Sequence, residues 1–474
     1  MPPTIKFGTD GWRGIIAEDF TFDNVRACAQ GVANYLLDHG IATQGLVIGY
    51  DTRFASEDFA AAVAEVAAAN GIRVFLNPKP APTPVISYAI VTKGAAGGVI
   101  ITASHNTGIW NGLKYKPEYA GSASPEVVAE LESHIQQILS GGEIKHLQLA
   151  DGLEQGLIEY YDPRPVYLSH IAELVDLGRI RQAGLKVAVD SMYGAGAGYF
   201  KELLSGGSTE VIEINAERNP LFPGIQPEPI AQNLTRLSAM IRELKADIGL
   251  ATDGDSDRIG PLDENGTFIT PLQVFALLAL YFLETRGERG ALVKTITSTD
   301  MLYRLGELFS VPVYETAVGF KYVGPVMIAE NALIGGEESG GFGFRGHIPE
   351  RDGILSGLYL LDLMVSMNKK PSELIDYLYD KVGPHYYKRT DFHFPSEKRE
   401  AIVQRLDQLK PSRIDNAEVT NIDTLDGFRF RLSDGSWLLI RPSGTEPLLR
   451  IYAESDSIAH VERLLEAGKK LAGI

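Results

Sequence analysis

Ala246-Asp247-Ile248-Gly249-Leu250-Ala251-Thr252, followed by Asp253-Gly254-Asp255-Ser256-Asp257-Arg258, is the stretch around which the rest of the chain is read. The first seven residues have the apolar character of a short buried strand, which puts three alternating carboxylates on the loop at its end. Carboxylates crowded in this way repel one another unless a cation sits among them, and an all-oxygen set suits a hard ion such as Mg²⁺. Arg258 beside them is suited to a planar, bidentate grip on a carboxylate or phosphate. Two other readings compete here. Counting Asp253 as the first position of a calcium loop puts Glu264 on the twelfth, but Arg258 stands where the sharp turn needs Gly. The upstream flank also reads as strand, not helix. A solvated acidic turn is common for a lone Asp pair, and less so for three Asp and an Arg directly after an apolar strand.

The same strand-then-polar-loop pattern recurs. Leu46-Val47-Ile48-Gly49-Tyr50 leads to Asp51-Thr52-Arg53 and an Ala-rich helical run over residues 57–69. Gly98-Val99-Ile100-Ile101 leads to Thr102-Ala103-Ser104-His105-Asn106, and Leu185-Lys186-Val187-Ala188-Val189 to Asp190-Ser191-Met192-Tyr193-Gly194-Ala195-Gly196. Strands alternating with helices predict α/β layers. The last part differs: residues 428–432, 437–440 and 448–452 predict consecutive strands, and residues 458–471 a closing helix, which together make an antiparallel α+β unit. Polar turns near 151–156, 263–266 and 382–384 predict four units, spanning 1–156, 157–263, 264–382 and 383–474.

Composition narrows the function classes. The 474 residues are 45% hydrophobic and 22% charged, as in an ordinary soluble globular protein. A net charge of −17 argues against a nucleic-acid or anionic-membrane surface, so an anionic substrate must be drawn in by local Arg and Lys clusters. Cys28 is the sole cysteine, which leaves no internal disulfide and no cysteine-based metal site. Met1-Pro2-Pro3-Thr4-Ile5-Lys6 carries no apolar signal segment, and the longest apolar run, residues 274–283, is too short to span a bilayer. A cytoplasmic enzyme or binding protein is expected.

Several further loops carry chemistry. Ser104 follows an apolar strand, where a hydroxyl can reach a ligand in the crevice at the strand's end. His105 next to it admits an activated Ser–His pair, although neighbours on a loop often point apart and the G-x-S-x-G elbow is absent. A phosphorylated serine suits a nearby Mg²⁺ site better, because the phosphate supplies an oxygen ligand and the metal offsets charge as the phosphoryl group leaves. An ordinary turn serine is the plain alternative. Arg441-Pro442-Ser443-Gly444-Thr445-Glu446-Pro447 lies between two predicted strands. Its Gly lets successive N–H groups curl into one concavity, and Arg441 with two hydroxyls completes an anion clamp. Gly336-Glu337-Glu338-Ser339-Gly340-Gly341 offers carboxylates and a hydroxyl suited to sugar hydroxyls. Arg13 sits in a loop with three glycines, and Lys114 and Lys321 flank Gly-bearing turns, although a lone Lys is usually surface solvation. His347, in Gly346-His347-Ile348-Pro349-Glu350-Arg351-Asp352-Gly353, reads equally as a proton carrier or a packed loop histidine.

Taken together and in this order, these loops resemble the α-D-phosphohexomutase family, the phosphoglucomutases and phosphomannomutases, over residues 7–452. The resemblance implies a four-domain, heart-shaped enzyme: three similar mixed α/β domains and a smaller, mobile C-terminal α+β domain around a central cleft. It implies that Ser104, phosphorylated at rest, donates its phosphoryl group to a hexose phosphate, and that the 1,6-bisphosphate formed turns over and returns its other phosphoryl group. Mg²⁺ would be held by Asp253, Asp255, Asp257 and a phosphoserine oxygen, with hexose 1,6-bisphosphate as activator. Arg13 and Lys114 match cations near the transferring group, Lys114 as general base or acid, and His105, His347, Arg258 and Lys321 complete the candidate set. Glu337 and Ser339 match sugar contacts, and Arg441, Ser443, Gly444 and Thr445 the clamp on the non-reacting phosphate.

The chain departs from the family pattern at Thr107, where Pro is usual, at Ser256, where Gly is frequent, and at Gly341, where many dual glucose/mannose enzymes carry His. The last departure, with the run around His347, looks closer to glucose-type enzymes, so glucose phosphate is the expected substrate and mannose phosphate is retained. The expected partner is a hexose phosphate, with no nucleic acid and no membrane, for a monomer or homodimer. A glucose 1,6-bisphosphate synthase is the alternative. An intact Ser104 and three intact Asp argue against a non-catalytic sugar-phosphate-binding regulator.

Overall fold

Three times along the chain, a set of parallel strands ends in one antiparallel hairpin. The computed structural model describes residues 5–8, 10–443 and 448–473. In the first unit, β1 (Trp12–Ile15), β2 (Leu46–Tyr50), β3 (Val74–Leu76), β4 (Gly97–Ile101), β5 (Trp110–Pro117) and β6 (Ile158–Tyr160) lie in the order β1-β5-β4-β2-β3-β6. Strands β2, β3, β4 and β6 are parallel, and β5 turns back antiparallel to β4. The polar turn near residues 151–156 falls before β6, which still pairs with β3 in this first sheet.

The second sheet contains β7 (Lys186–Asp190), β8 (Glu210–Ile214), β9 (Ile248–Thr252) and β10 (Ile259–Leu262), ordered β10-β9-β7-β8. Here β9 is the last parallel strand and β10 its antiparallel partner. The third contains β11 (Leu292–Thr295), β12 (Val313–Thr316), β13 (Ile334–Gly336) and β14 (Phe342–Phe344), ordered β12-β11-β13-β14, and β13–β14 is again antiparallel. Strands β2, β4 and β9 are buried along their whole length, which is why they read as unbroken apolar runs in place of alternation.

The apolar run at residues 274–283 fills the third unit. Helix Pro271–Leu280 buries eight of its ten residues and starts at a Thr270–Gln273 capping box. A helix apolar all round belongs in a core. Among the described residues, no helix is long and apolar enough to cross a membrane.

The C-terminal unit is the antiparallel α+β layer expected from its sequence. Its strands are β15 (Tyr386–His393), β16 (Arg413–Ile414), β17 (Ala417–Asp423), β18 (Phe428–Leu432), β19 (Trp437–Pro442) and β20 (Leu448–Ser455), ordered β15-β20-β19-β18-β17-β16. Helix Ile458–Ala472 covers one face, where Val461, Leu464 and Leu465 join Leu438, Ile440 and Ile451 in a core of their own. Three mixed α/β sheets followed by one antiparallel sheet is the fold class the sequence predicts.

Candidate active site

Each of the three repeated hairpins delivers one loop to the same place. The loop between β4 and β5 carries Ser104, that between β9 and β10 carries the three Asp, and that between β13 and β14 carries Glu337 and Ser339. Ser104 has φ of 51°, a left-handed conformation that costs a residue with a Cβ about 1–2 kcal/mol and persists only where neighbours enforce it. Its N–H donates to Thr102 Oγ1 at 2.9 Å, and its hydroxyl donates to Asp253 Oδ2 at 2.8 Å. His105 Nδ1 lies 3.2 Å from the same hydroxyl, so these neighbours do meet. Burial, and then Arg258 and Arg13, depress the His105 pKa well below the usual histidine value and keep the ring neutral. Gly254 allows the two loops to touch: a Cβ there would stand 2.5 Å from the Ser104 carbonyl oxygen.

Asp253, Asp255 and Asp257 are fully buried, and a ligand oxygen from each lies within 4.8 Å of the others. Lys114 Nζ reaches into them, 2.7 Å from Asp10 Oδ2, 2.8 Å from Asp255 Oδ2 and 3.1 Å from Asp257 Oδ2. Burial works against the ammonium, but the three carboxylates outweigh it and hold the proton more firmly than usual. For Asp255, burial opposes ionisation and Lys114 more than reverses it, so its pKa is lowered. At Asp253 the relief, from Arg258, falls short. Burial, followed by repulsion from Asp255 and Asp257, raises its pKa well above the usual range.

Asp255 Oδ1 and Asp257 Oδ1 are buried without a hydrogen-bond partner among the described residues. Orphaned anionic oxygens beside an acid that resists ionising are what a small hard cation would satisfy, so the donor set fits Mg²⁺. A calcium loop does not fit, because Glu264 is bonded instead to Ser372 Oγ and N–H.

Arg351 ties these loops together. It is 4% exposed, with Nη2 at 3.0 Å from Asp257 Oδ2, Nε at 3.0 Å from Glu350 Oε1 and Nη1 at 3.8 Å from Glu337 Oε2. A Cβ at Gly341 would meet Arg351 Cδ at 2.5 Å, so the small residue at 341 is the room this arginine occupies. Burial raises the Glu337 carboxyl to about 7. Above the hairpin loops opens a cleft of about 460 Å³, with His105, Arg258, Glu337, Ser339 and Arg351 on one side and Arg389, Arg441 and Arg450 on the other. The second group shares one face of the C-terminal sheet, because Arg441 stands opposite Arg450 and Arg389 opposite Tyr452. Arg258 Nε stands 3.8 Å from Asp257 and Arg450 Nε 3.9 Å from Asp391, so each wall carries an arginine with a nearby carboxylate.

Family sequence profiles give this constellation a context. The phosphoglucomutase/phosphomannomutase alpha/beta/alpha domains I, II and III match residues 4–141, 165–266 and 270–382, and the C-terminal domain of the same family matches 396–469. The chain belongs to the phosphoglucomutase/phosphomannomutase family. Its sequence is 33% identical over 467 residues to the phosphoglucomutase/phosphomannomutase of Thermococcus kodakarensis, covering 98% of each chain. It is also 33% identical over 454 residues to a protein of Methanothermobacter thermautotrophicus named a probable phosphoglucosamine mutase, covering 94% of this chain and 93% of that one. The crystal structure of a Thermus thermophilus protein assigned as a phosphomannomutase superposes with a TM-score of 0.87 at 35% identity, covering both chains fully. The protein is therefore a phosphate-transferring mutase of this family.

Against the family frame, the candidate residues sort by position. Ser104, His105, Lys114, Asp253, Asp255, Asp257 and Arg258 share one cluster, and Arg13 joins it by donating from Nη1 to Asn106 Oδ1 at 2.7 Å. Arg441 and Ser443 stand at the end of β19, where Arg441 Nε donates to Asp426 Oδ1 at 2.8 Å; Gly444 and Thr445 lie outside the described residues. Lys321 is half-buried in the first turn of helix Phe320–Ala329, beside the cleft-lining Val318, Gly319 and Phe320. His347 is not brought to Ser104. Its ring bonds Asp352 at 3.1 Å and His170 at 3.1 Å in the packed interior between units.

The sequence reading missed Asp10, Lys116, Glu350, Arg351, Arg389 and Arg450. Glu350 and Arg351 had a signal as charged neighbours inside the run quoted for His347, Asp10 lies in the Gly-bearing loop of Arg13, and Arg450 lies in the predicted strand 448–452.

Proposed function

We propose that this mutase interconverts glucose 1-phosphate and glucose 6-phosphate, with Ser104 carrying the transferred phosphoryl group and a hexose 1,6-bisphosphate as intermediate and activator. The observation that carries this reading is the Ser104 hydroxyl 2.8 Å from Asp253, beside two carboxylate oxygens without a hydrogen-bond partner among the described residues, on the floor of an arginine-walled cleft. Asp253, Asp255, Asp257 and a phosphoserine oxygen would hold Mg²⁺. When bound, that ion neutralises charge on the phosphoryl group as it leaves.

The chain's own residues divide the remaining work. Arg13, Lys114 and Arg258 surround the transferring group with positive charge. Lys114 keeps its proton among three carboxylates, so it acts as a fixed cation and not as a proton acceptor. Glu337, with its carboxyl raised to about 7, can take a proton from the attacking sugar hydroxyl near neutral pH, and Ser339 bonds a neighbouring hydroxyl. Neutral His105 steadies the Ser104 hydroxyl between transfers. Arg441, Ser443, Gly444 and Thr445, joined by Arg389 and Arg450, grip the phosphate that is not reacting, while Lys321 adds charge at the rim. One reacting site and one remote clamp serve both ends of the sugar, once the bisphosphate has turned. Gly341 with Arg351 in its space supports glucose over mannose phosphate.

Product analysis by ³¹P NMR tests the reading. Glucose 1-phosphate with Mg²⁺ and a trace of glucose 1,6-bisphosphate is expected to give glucose 6-phosphate rapidly, and faster than mannose or glucosamine phosphates react. Accumulation of free bisphosphate from an added sugar-bisphosphate donor, with little isomerisation, would overturn it in favour of a bisphosphate synthase.

A further inference from the structure

The loop from Ser104 to Ile109 has neither helix nor strand, so its carbonyl groups need partners from elsewhere. One side chain supplies three of the six, at Ser104, Asn106 and Thr107. Arg53 is 0% exposed, and all five of its guanidinium hydrogens are used. Nη2 donates to Ser104 O and Asn106 O, both at 2.6 Å, and Nη1 donates to Thr107 O at 2.8 Å and Trp110 O at 3.0 Å. Nε donates to Asp51 Oδ2 at 3.1 Å. Asp51 is in turn fixed by Thr102, whose hydroxyl donates to Asp51 Oδ2 at 2.6 Å and accepts the Ser104 N–H. The Phe222 ring covers the guanidinium, 4.9 Å from its carbon, and Gly254 of the metal loop lies against it, with its Cβ position 3.5 Å from Nη2.

We propose that Arg53, held by Asp51 and Thr102, is a positioning residue that fixes the Ser104 loop in its left-handed conformation and sets the distance from the Ser104 hydroxyl to the Asp253 loop. The proposal rests on Ser104 being the phosphoryl carrier. Neither Arg53 nor Asp51 lines the cleft, so they act on the reacting oxygen only through the backbone. A planar fork bonding four carbonyls cannot be replaced by the three donors of a lysine ammonium, which radiate from one atom. Hexose phosphate binding is made by other groups, and should survive the loss of this fork.

Full-length wild type, Arg53→Lys, Thr102→Val and Ser104→Ala are compared with Mg²⁺ and a trace of glucose 1,6-bisphosphate, after circular dichroism has confirmed folding. The readouts are kcat, KM for glucose 1-phosphate, and ³²P incorporation from labelled glucose 1,6-bisphosphate. Arg53→Lys is expected to lower kcat and the labelling rate about 100-fold, the scale of a 1 Å misplacement, with KM within about twofold of wild type. Thr102→Val is expected to fall in the same direction by a smaller factor. Wild-type kcat in the folded variants, or a loss confined to KM, would overturn the proposal. If Arg53→Lys does not fold, Thr102→Val decides by the same criteria. An active Ser104→Ala would sink the phosphoserine reading itself, whereas an inactive Ser104→Ala beside an unaffected Arg53→Lys would sink only the positioning role.

Discussion

Two clusters of charge border the third unit, and they are built differently. At the junction with the C-terminal unit, Lys294, Arg429 and Arg431 face Asp300, Glu315 and Asp423, three bases against three acids. Lys294 Nζ lies 2.9 Å from Asp300, Arg431 Nη1 2.7 Å from Asp300 Oδ2, and Arg429 Nη1 2.6 Å from Glu315 Oε2. Burial opposes ionisation of Asp300 and Glu315, yet Lys294 and Arg429 more than reverse it. At the hairpin loops the balance fails. Lys114, Arg258 and Arg351 still leave two carboxylate oxygens without a hydrogen bond among the described residues, with Asp253 resisting ionisation beside them. A balanced cluster docks one unit on another; an unbalanced one suits the cation and phosphoryl group of the proposed function. Under the proposed function, the imbalance of charge and not its density marks the reacting site.

The sharpest way to break this contrast is Ser104→Ala. It should leave folding nearly intact and lower kcat by about 10⁴-fold or more, read by ³¹P NMR and by loss of phosphate incorporation. Arg429→Met attacks the balanced cluster instead. Removing the buried guanidinium leaves Glu315 and Asp423, both partly exposed, without it, at a cost of about 3 kcal/mol, the low end for a buried pair. Thermal unfolding should drop, and hydrogen exchange should rise first in β17 and β18. A stability change under about 1 kcal/mol would mean that this junction is not held by its ions.

The parts of this organisation legible in the sequence are those carried by neighbouring residues. Asp253, Asp255 and Asp257 share one loop, and strand β9 before them gives the loop its place. The antiparallel end unit was legible as well, because β18, β19 and β20 are consecutive apolar runs joined by short turns. What was illegible depends on meetings across the chain. Asp10 and Arg351 touch across 341 positions, and nothing local to either names the other. Arg389 and Arg450 are single arginines on separate strands, brought to one face by register alone. His347 stayed ambiguous because its partners, His170 and Asp352, come from two different units.

Glu337 sharpens the comparison within the unbalanced cluster. Its usual pKa of 4.5 is raised to about 7 by burial, so the folded protein keeps a proton that the unfolded chain has released. Stability is therefore lost as pH rises from about 4.5 to about 7, and above that the full cost, about 3 kcal/mol, is present. Glu337→Gln should be more stable than wild type at pH 8 and nearly equal to it at pH 4, by calorimetry at both values. An equal difference at the two pH values would show that burial does not strain this carboxyl.

Asp253→Asn gives the smallest effect and the most direct test of imbalance. With no Mg²⁺ present, replacing an acid that burial and two neighbouring carboxylates keep from ionising should cost nothing and gain about 1–2 kcal/mol at pH 8. Its folded pKa is raised, so, as with Glu337, the wild-type cost grows with pH and the gain should shrink towards acid. Adding Mg²⁺ should reverse the order. Wild type then gains stability by mass action, raising its Tm with metal concentration, while Asp253→Asn responds weakly because one oxygen ligand has become a neutral amide. If the variant is less stable without metal and responds to Mg²⁺ as wild type does, the three aspartates are a balanced structural cluster like the one at the C-terminal junction, held by Lys114, Arg258 and Arg351.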